Sequence, residues 1–270
     1  MQFYVKIPPI GRKKLLMINT LPMIIHQHGG VDYEINVPVV RIGCSRNANR
    51  DMQSTQKFID GVRKEGSKMH GPAGVCFKSR YLLTNEDVIE VQGPHTSGEI
   101  EFIVFTYLSQ MFVSVGSDHN DRSIDQMWTP LLGKIQDTAK TKQMVPAVVA
   151  RDAWPYDDVK EHWDDIVLKS MVSVSGNLVT YQEFALAELL GIEHYINNHS
   201  WIKDEGSFLL GGSGPILLAE SSGMYTGQSN LEGIMFPDDF YFEMFDPVLD
   251  RTISHSYDAL SLEEIDSFSL

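Results

Sequence analysis

The sequence predicts an α+β fold in which strands dominate, and three observations carry that expectation. Short runs rich in Val, Ile, Phe and Tyr recur along the 270 residues, punctuated by Gly, Pro, Asn and Asp. Two of these runs, 99–106 and 111–115, sit on either side of a turn near Ser109, as a hairpin requires. Helical spacing of apolar residues is confined to a few segments.

Taken in order, 37–44 reads as a buried strand. Residues 48–64 follow as a helix, with Met52, Thr55, Phe58, Ile59 and Val62 at helical spacing and Gly66 as its stop. Residues 75–83 and 88–91 read as strands, parted by Asn85, Glu86 and Asp87. After the 99–115 hairpin, 123–132 reads as a short helix and 147–150 as a strand. Asp157 is the expected N-cap of a helix over 158–163. Strands 167–174 and 178–182 flank the turn Ser175-Gly176-Asn177. The strongest helical pattern covers 183–197, and 240–245 is the clearest late strand. No repeat, low-complexity tract or linker divides the chain. It is expected to form one unit over 1–270, with 1–36 as an appended strand or arm.

Composition narrows the function. Hydrophobic residues at 43% and charged residues at 21% are ordinary for a globular chain. No spanning segment or cleavable leader is visible, so the protein is expected in the cytoplasm, off the membrane. A net charge of −14 argues against nucleic acid, because phosphates are neutralised by clustered Lys and Arg. Cys44 and Cys76 lack the spacing of a zinc site or a disulfide framework and read as buried thiols.

The chemistry concentrates at the hairpin. In a strand, Glu99 and Glu101 share a face, with Cα atoms roughly 7 Å apart. A solvated strand end is the commoner fate of such a pair. The returning strand shifts that balance, since Phe112-Val113-Ser114-Val115 leads straight into Gly116-Ser117-Asp118-His119-Asn120-Asp121-Arg122. Two glutamates and an aspartate form the hard oxygen set that suits Mg²⁺. An EF-hand is excluded, because Ser123 and Thr129 occupy its Gly and Glu positions. No HExxH or paired Cys spacing supports zinc, and His95 and His119 read as hydrogen-bonded structural groups. Gly211-Gly212-Ser213-Gly214-Pro215 has Pro where a nucleophile elbow needs Gly, and reads as a flexible loop. Glu161, His162, Trp163, Asp164 and Asp165 read as a helix packing one aromatic face on the core. Phe240, Tyr241, Phe242 and Phe245 read as core or interface.

Several motifs in order resemble the fumarylacetoacetate-hydrolase (FAH) superfamily, and within it the DUF2848 branch of unknown function. They are Thr96-Ser97-Gly98-Glu99-Ile100-Glu101, the 115–122 segment, Thr141-Lys142-Gln143, Ala153-Trp154 with Asp158 and His162-Trp163-Asp164, and 242–249. The similarity spans most of 37–260. It implies a mixed β-roll with flanking helices, usually dimeric, holding Mg²⁺ or Mn²⁺ on Glu99, Glu101 and Asp118. It also implies catalytic roles for Arg122 and for Lys142, with Lys140 as the alternative lysine.

The expected activity is that of a hydrolase or lyase acting on a small 1,3-dicarbonyl, 2-oxo acid or enol through a stabilised enolate. Two departures qualify it. Hydrolytic members carry a water-activating His and Glu on the first helix, where this chain has Phe58 and Gly61; Asp51, Asp60, Glu65 or His70 would have to substitute. The substrate-binding Gly-Thr segment is replaced by Glu220-Ser221-Ser222-Gly223. An isomerase or cyclase is therefore the second expectation, and a non-catalytic binding protein the third.

Overall fold

The computed structural model describes residues 19–64, 73–122, 138–212 and 236–265. A first hairpin joins β1 (Thr20–Ile25) to β2 (Tyr33–Pro38), and β3 (Arg41–Arg46) follows. The run 37–44 is therefore two strands. Pro38 has no N–H with which to continue a ladder, and the N–H groups of Val39 and Val40 turn to Asn19 O and Gly206 O. Helix α1 (Met52–Lys64) starts later than residue 48. The Asp51 carboxylate accepts the N–H groups of Gln53 and Ser54 and so caps it there, while the carbonyl of Ala48 is taken by Leu190 N–H.

β4 (Gly74–Lys78) ends early because Ser79 caps a 3-10 turn over Arg80–Leu82, which leads into the short β5 (Leu83–Thr84). Then come β6 (Val88–Val91), β7 (Thr96–Ser97) and the central hairpin, β8 (Ile100–Tyr107) and β9 (Gln110–Asp118). Its turn residues, Leu108 and Ser109, both have positive φ, the twist that suits a two-residue hairpin. β10 (Asn120–Asp121) pairs with β7 as a two-stranded ribbon. The helix expected over 123–132 lies outside the described residues.

Next come α2 (Thr138–Thr141), β11 (Ala147–Val149) and β12 (Asp152–Pro155). Pro155 is the N-cap of α3 (Tyr156–Val159), so Asp157 sits inside the first turn and not at the cap. The hairpin of β13 (Val167–Val174) and β14 (Asn177–Ala185) turns at Ser175-Gly176 as expected. The helix over 183–197 is not formed. Residues 183–185 belong to β14, with Leu168↔Phe184 and Lys169↔Glu183 in register; a 3-10 turn covers Leu186–Glu188, and α4 (Ile192–Asn198), entered through Gly191, is the α-helical remainder. Pairing in the sheet overrides a helix-favouring composition here. β15 (Ser207–Gly212), β16 (Asp239–Asp246) and β17 (Arg251–Ser261) complete the strands. Gly211 and Gly212 are buried strand residues, not loop; the rest of that motif lies outside the described residues.

Ten strands form one curled mixed sheet in the order β2-β1-β12-β9-β8-β15-β3-β4, with β11 bridging β9 to β5. A second sheet, β14-β13-β16-β17-β6, covers its outer face. β8 lies between two cores. Phe102 and Val104 pack outward against Leu168, Phe242 and Tyr257, while Ile103 and Phe105 point inward with Phe112, Phe208 and Leu210. Each such side chain contributes roughly 1.5–3 kcal/mol on burial. Together they exceed the several kcal/mol that one buried carboxyl costs, so β8 carries Glu101, 1% exposed, into the interior. Among the described residues no helix is long and apolar enough to cross a membrane.

Candidate active site

The polar cluster lies at one end of the curled sheet, where four elements converge. Glu101 is the second residue of β8, opposite Gly116 and Gly212. A Cβ on Gly212 would stand 3.0 Å from the Glu101 carboxyl carbon, so glycine keeps that space open. Asp118 ends β9, and its N–H donates to the Glu99 carbonyl at 3.0 Å. Gly98 admits no Cβ, because Ser117 Oγ and the Phe240 ring lie 2.7 and 2.8 Å from where it would be. The ribbon of β7 and β10 then fixes Arg122, whose Nε donates to Ser97 Oγ at 2.7 Å. Its guanidinium meets Glu99 Oε1 at 2.9 Å.

Lys142 follows α2. The neighbouring Gln143 donates to Phe77 O and Ala139 O and accepts the Ser79 N–H, tying this turn to the end of β4. That tie sets Lys142 beside Lys78. Lys78 Nζ donates to Asp118 Oδ1 at 3.0 Å, and Lys142 Nζ donates to Asp118 Oδ2. Lys142 Nζ is also 4.0 Å from Glu99 Oε2. Glu101 Oε2 is buried with no hydrogen-bond partner.

Burial works against every charge here, and the neighbours decide the outcome. It pushes Glu101 well above the usual carboxylate range despite the nearby Lys142. It would raise Asp118 too, but the two lysines outweigh it and hold that carboxyl at about 2. Burial would lower Lys142, yet Asp118, Glu99 and Glu101 together carry it well above a normal amine. His119 is pushed down to about 3 by burial and by the charges of Arg122 and Lys78, so it is neutral. Its Nδ1 and Ser117 Oγ both meet Tyr257 OH at 2.8 Å, which ties the end of β9 to the second sheet.

The three expected carboxylates and both expected cationic residues are thus brought to one place, around the Lys142 ammonium. Lys140 is exposed on α2. Among the described residues, no group of three His, Cys, Asp or Glu side chains converges closely enough to hold an ion as it stands. The donor set nevertheless fits a hard cation: its atoms are carboxylate oxygens, and Glu101 Oε2 is buried without a hydrogen-bond partner.

Sequence reasoning missed Lys78. Its signal was period-two spacing: Cys76 and Lys78 share the inward face of β4, while Phe77 is half exposed. Cys44 and Cys76 are the buried free thiols expected, directly opposite each other in register. Of the substitutes for the missing water-activating pair, Asp51 is the helix cap and Asp60 pairs with Gln56 and Arg63 on the exposed face of α1. Glu65, His70 and 220–223 lie outside the described residues. Trp163 packs edge-on to Phe102 and His162 faces Asp246, the packing role expected for that segment.

The strand-dominated, curled mixed sheet is consistent with an FAH-like fold. The crystal structure of Cg1458 superimposes with a TM-score of 0.53 at 12% identity, over 86% of this chain and 83% of that one. For 2-keto-3-deoxy-D-arabinonate dehydratase complexed with magnesium and 2,5-dioxopentanoate the values are 0.51, 14%, 82% and 73%. Residues 46–257 match the model of DUF2848, described as a protein of unknown function, and the chain belongs to that family. A comparison with curated proteins found no match.

Proposed function

We propose that this chain is a Mg²⁺- or Mn²⁺-dependent enzyme that acts on a 2-oxo acid, 1,3-dicarbonyl or enol by stabilising an enolate, as a lyase or hydrolase. The observation that carries it is the cluster of Glu99, Glu101 and Asp118 around one buried ammonium, with Glu101 Oε2 buried and unpartnered. The magnesium and oxo compound in the 2-keto-3-deoxy-D-arabinonate dehydratase structure support the same class.

A bound divalent cation supplies Lewis-acid polarisation of the substrate oxygens. The chain's own residues do the rest. Arg122 holds Glu99 in place, and Lys78 holds Asp118. Lys142 brings a positive charge to the oxygen on which negative charge develops. The apolar strands around the cluster exclude water, which strengthens each of these interactions.

Among the described substitutes for the water-activating pair, Asp51 and Asp60 are exposed and engaged on α1 itself, which favours a lyase, isomerase or cyclase over a hydrolase. The protein is further taken to be one unit over 1–270 located in the cytoplasm and, as the family resemblance implies, a homodimer.

Melting in EDTA, and then with Mg²⁺ or Mn²⁺ plus oxalate, tests the metal site. A ligand at 100 times its Kd adds about 2.7 kcal/mol to stability, and Glu101→Ala is expected to abolish that gain. A wild-type protein indifferent to metal would refute the assignment and leave a non-catalytic binding protein. Absence of solvent oxygen-18 from the product is expected for the isomerase or cyclase; incorporation would support hydrolysis.

A further inference from the structure

Asp118 has both carboxylate oxygens occupied by the chain's own ammonium groups, Oδ1 by Lys78 and Oδ2 by Lys142. Glu99 Oε1 is taken by Arg122, and its Oε2 faces Lys142. A cation seated among these three carboxylates would take the place that the Lys142 ammonium holds, beside Asp118 Oδ2 and Glu99 Oε2. The two lysines are not equally movable. Lys78 has no exposed side-chain surface and sits in the β3–β4 ladder, with Ile42↔Lys78 in register. Lys142 lies in no strand, follows a helix of a single turn and keeps 7% of its side chain exposed. Its side chain therefore has an opening toward solvent that the Lys78 side chain lacks.

We propose that Lys142 is a displaceable counter-cation: it occupies Asp118 Oδ2 until a divalent ion takes that oxygen, and only then is its ammonium released toward an anionic substrate. The inference rests on the metal reading above and adds an order to it, cation before substrate. Lys78 stays on Oδ1 throughout and keeps Asp118 aimed. A divalent ion presents twice the charge to the same oxygen, which drives the exchange against the cost of stripping its hydration shell. Cation and anionic ligand then strengthen each other's binding, and by linkage the factor is the same in both directions. The lysine also lowers the apparent metal affinity by the fraction of time the site is open; if that fraction is about a tenth, the dissociation constant rises about tenfold.

Two measurements on the full-length protein test this. In the wild type, acylation of lysines with acetic anhydride, read by peptide mass spectrometry, is expected to label Lys142 several-fold faster when Mg²⁺ is present, with Lys78 protected in both states. In parallel, Mn²⁺ affinity from the electron paramagnetic resonance of the free ion is expected to tighten about tenfold in Lys142→Met. If the wild type binds Mn²⁺ but Mg²⁺ leaves Lys142 labelling unchanged or slower, the displacement is overturned and the metal reading stands. Unchanged or weaker Mn²⁺ affinity in a Lys142→Met protein that melts like the wild type overturns it equally. If the wild type binds no Mn²⁺, both fall.

Discussion

Lys78→Met removes one ammonium from a fully buried pair and keeps the volume of the side chain. Both Lys78 and Asp118 have side chains with no solvent exposure, so the Asp118 carboxylate cannot recruit water at Oδ1 once the lysine is gone. Removing one partner of a buried ion pair costs about 3–5 kcal/mol, because the other charge stays uncompensated. Lys142 remains on Oδ2, which sets the expectation at the lower end, about 3 kcal/mol. The Asp118 carboxyl, held at about 2 because the two lysines outweigh burial, points the same way: the pairing favours the charged form in the folded protein. For a chain of this size about 3 kcal/mol corresponds to a fall in Tm of about 6–12 °C. Urea unfolding in EDTA, which keeps metal out of the comparison, reads the change directly. Lys78→Met combined with Asp118→Asn is expected to recover part of the loss, since no bare charge is then left inside. A Lys78→Met protein within about 1 kcal/mol of the wild type, a value usual for surface pairs, would refute the account of Asp118 as a clamped, buried anion.

Gly211 and His26 probe the packing of β15 and the surface charge of the first hairpin. Gly211→Ala places a Cβ 2.1 Å from the fully buried Phe102 ring, so overpacking is expected to cost about 1–3 kcal/mol in urea unfolding; a neutral substitution would mean that the contact between β15 and β8 is looser than described. At the first hairpin, burial draws the His26 imidazole down, but hydrogen bonds to Asp152 and Asp32 outweigh it and leave its pKa raised above 6.5. The stabilisation from those pairs is therefore complete below about 6.5 and is lost as pH rises through the folded-state value. Both pairs are partly exposed, so the contribution is within about 1 kcal/mol and screened by salt. The Tm gap between wild type and His26→Gln is expected to close on the alkaline side; a gap that widens there would contradict the pairing.

How much of this was legible in the sequence depended on whether local and long-range forces agreed. The 99–115 hairpin was, because its apolar runs, its turn and its polar mouth all point the same way. Glu101 and Asp118 emerged with it, since alternation along a strand sets which face each acid occupies. Residues 183–197 misled because Glu, Ala and Leu favour a helix locally, while the ladder to β13 decides the matter from a distance. Lys78 was hidden for a related reason. A lone lysine at a strand end looks solvated until the fold shows Asp118, forty residues away in sequence, closing on it. The role of Gln143 as the tie between α2 and β4 depends likewise on contacts across the fold.

The central claim is that Glu99, Glu101 and Asp118 hold a divalent cation beside Lys142. Anomalous scattering from crystals of the protein grown with Mn²⁺ tests it most directly. The account predicts a single strong peak among those three carboxylates, within bonding distance of Glu101 and lost in Glu101→Ala crystals. A well-ordered site with no peak there, or a peak held by other residues, would contradict it.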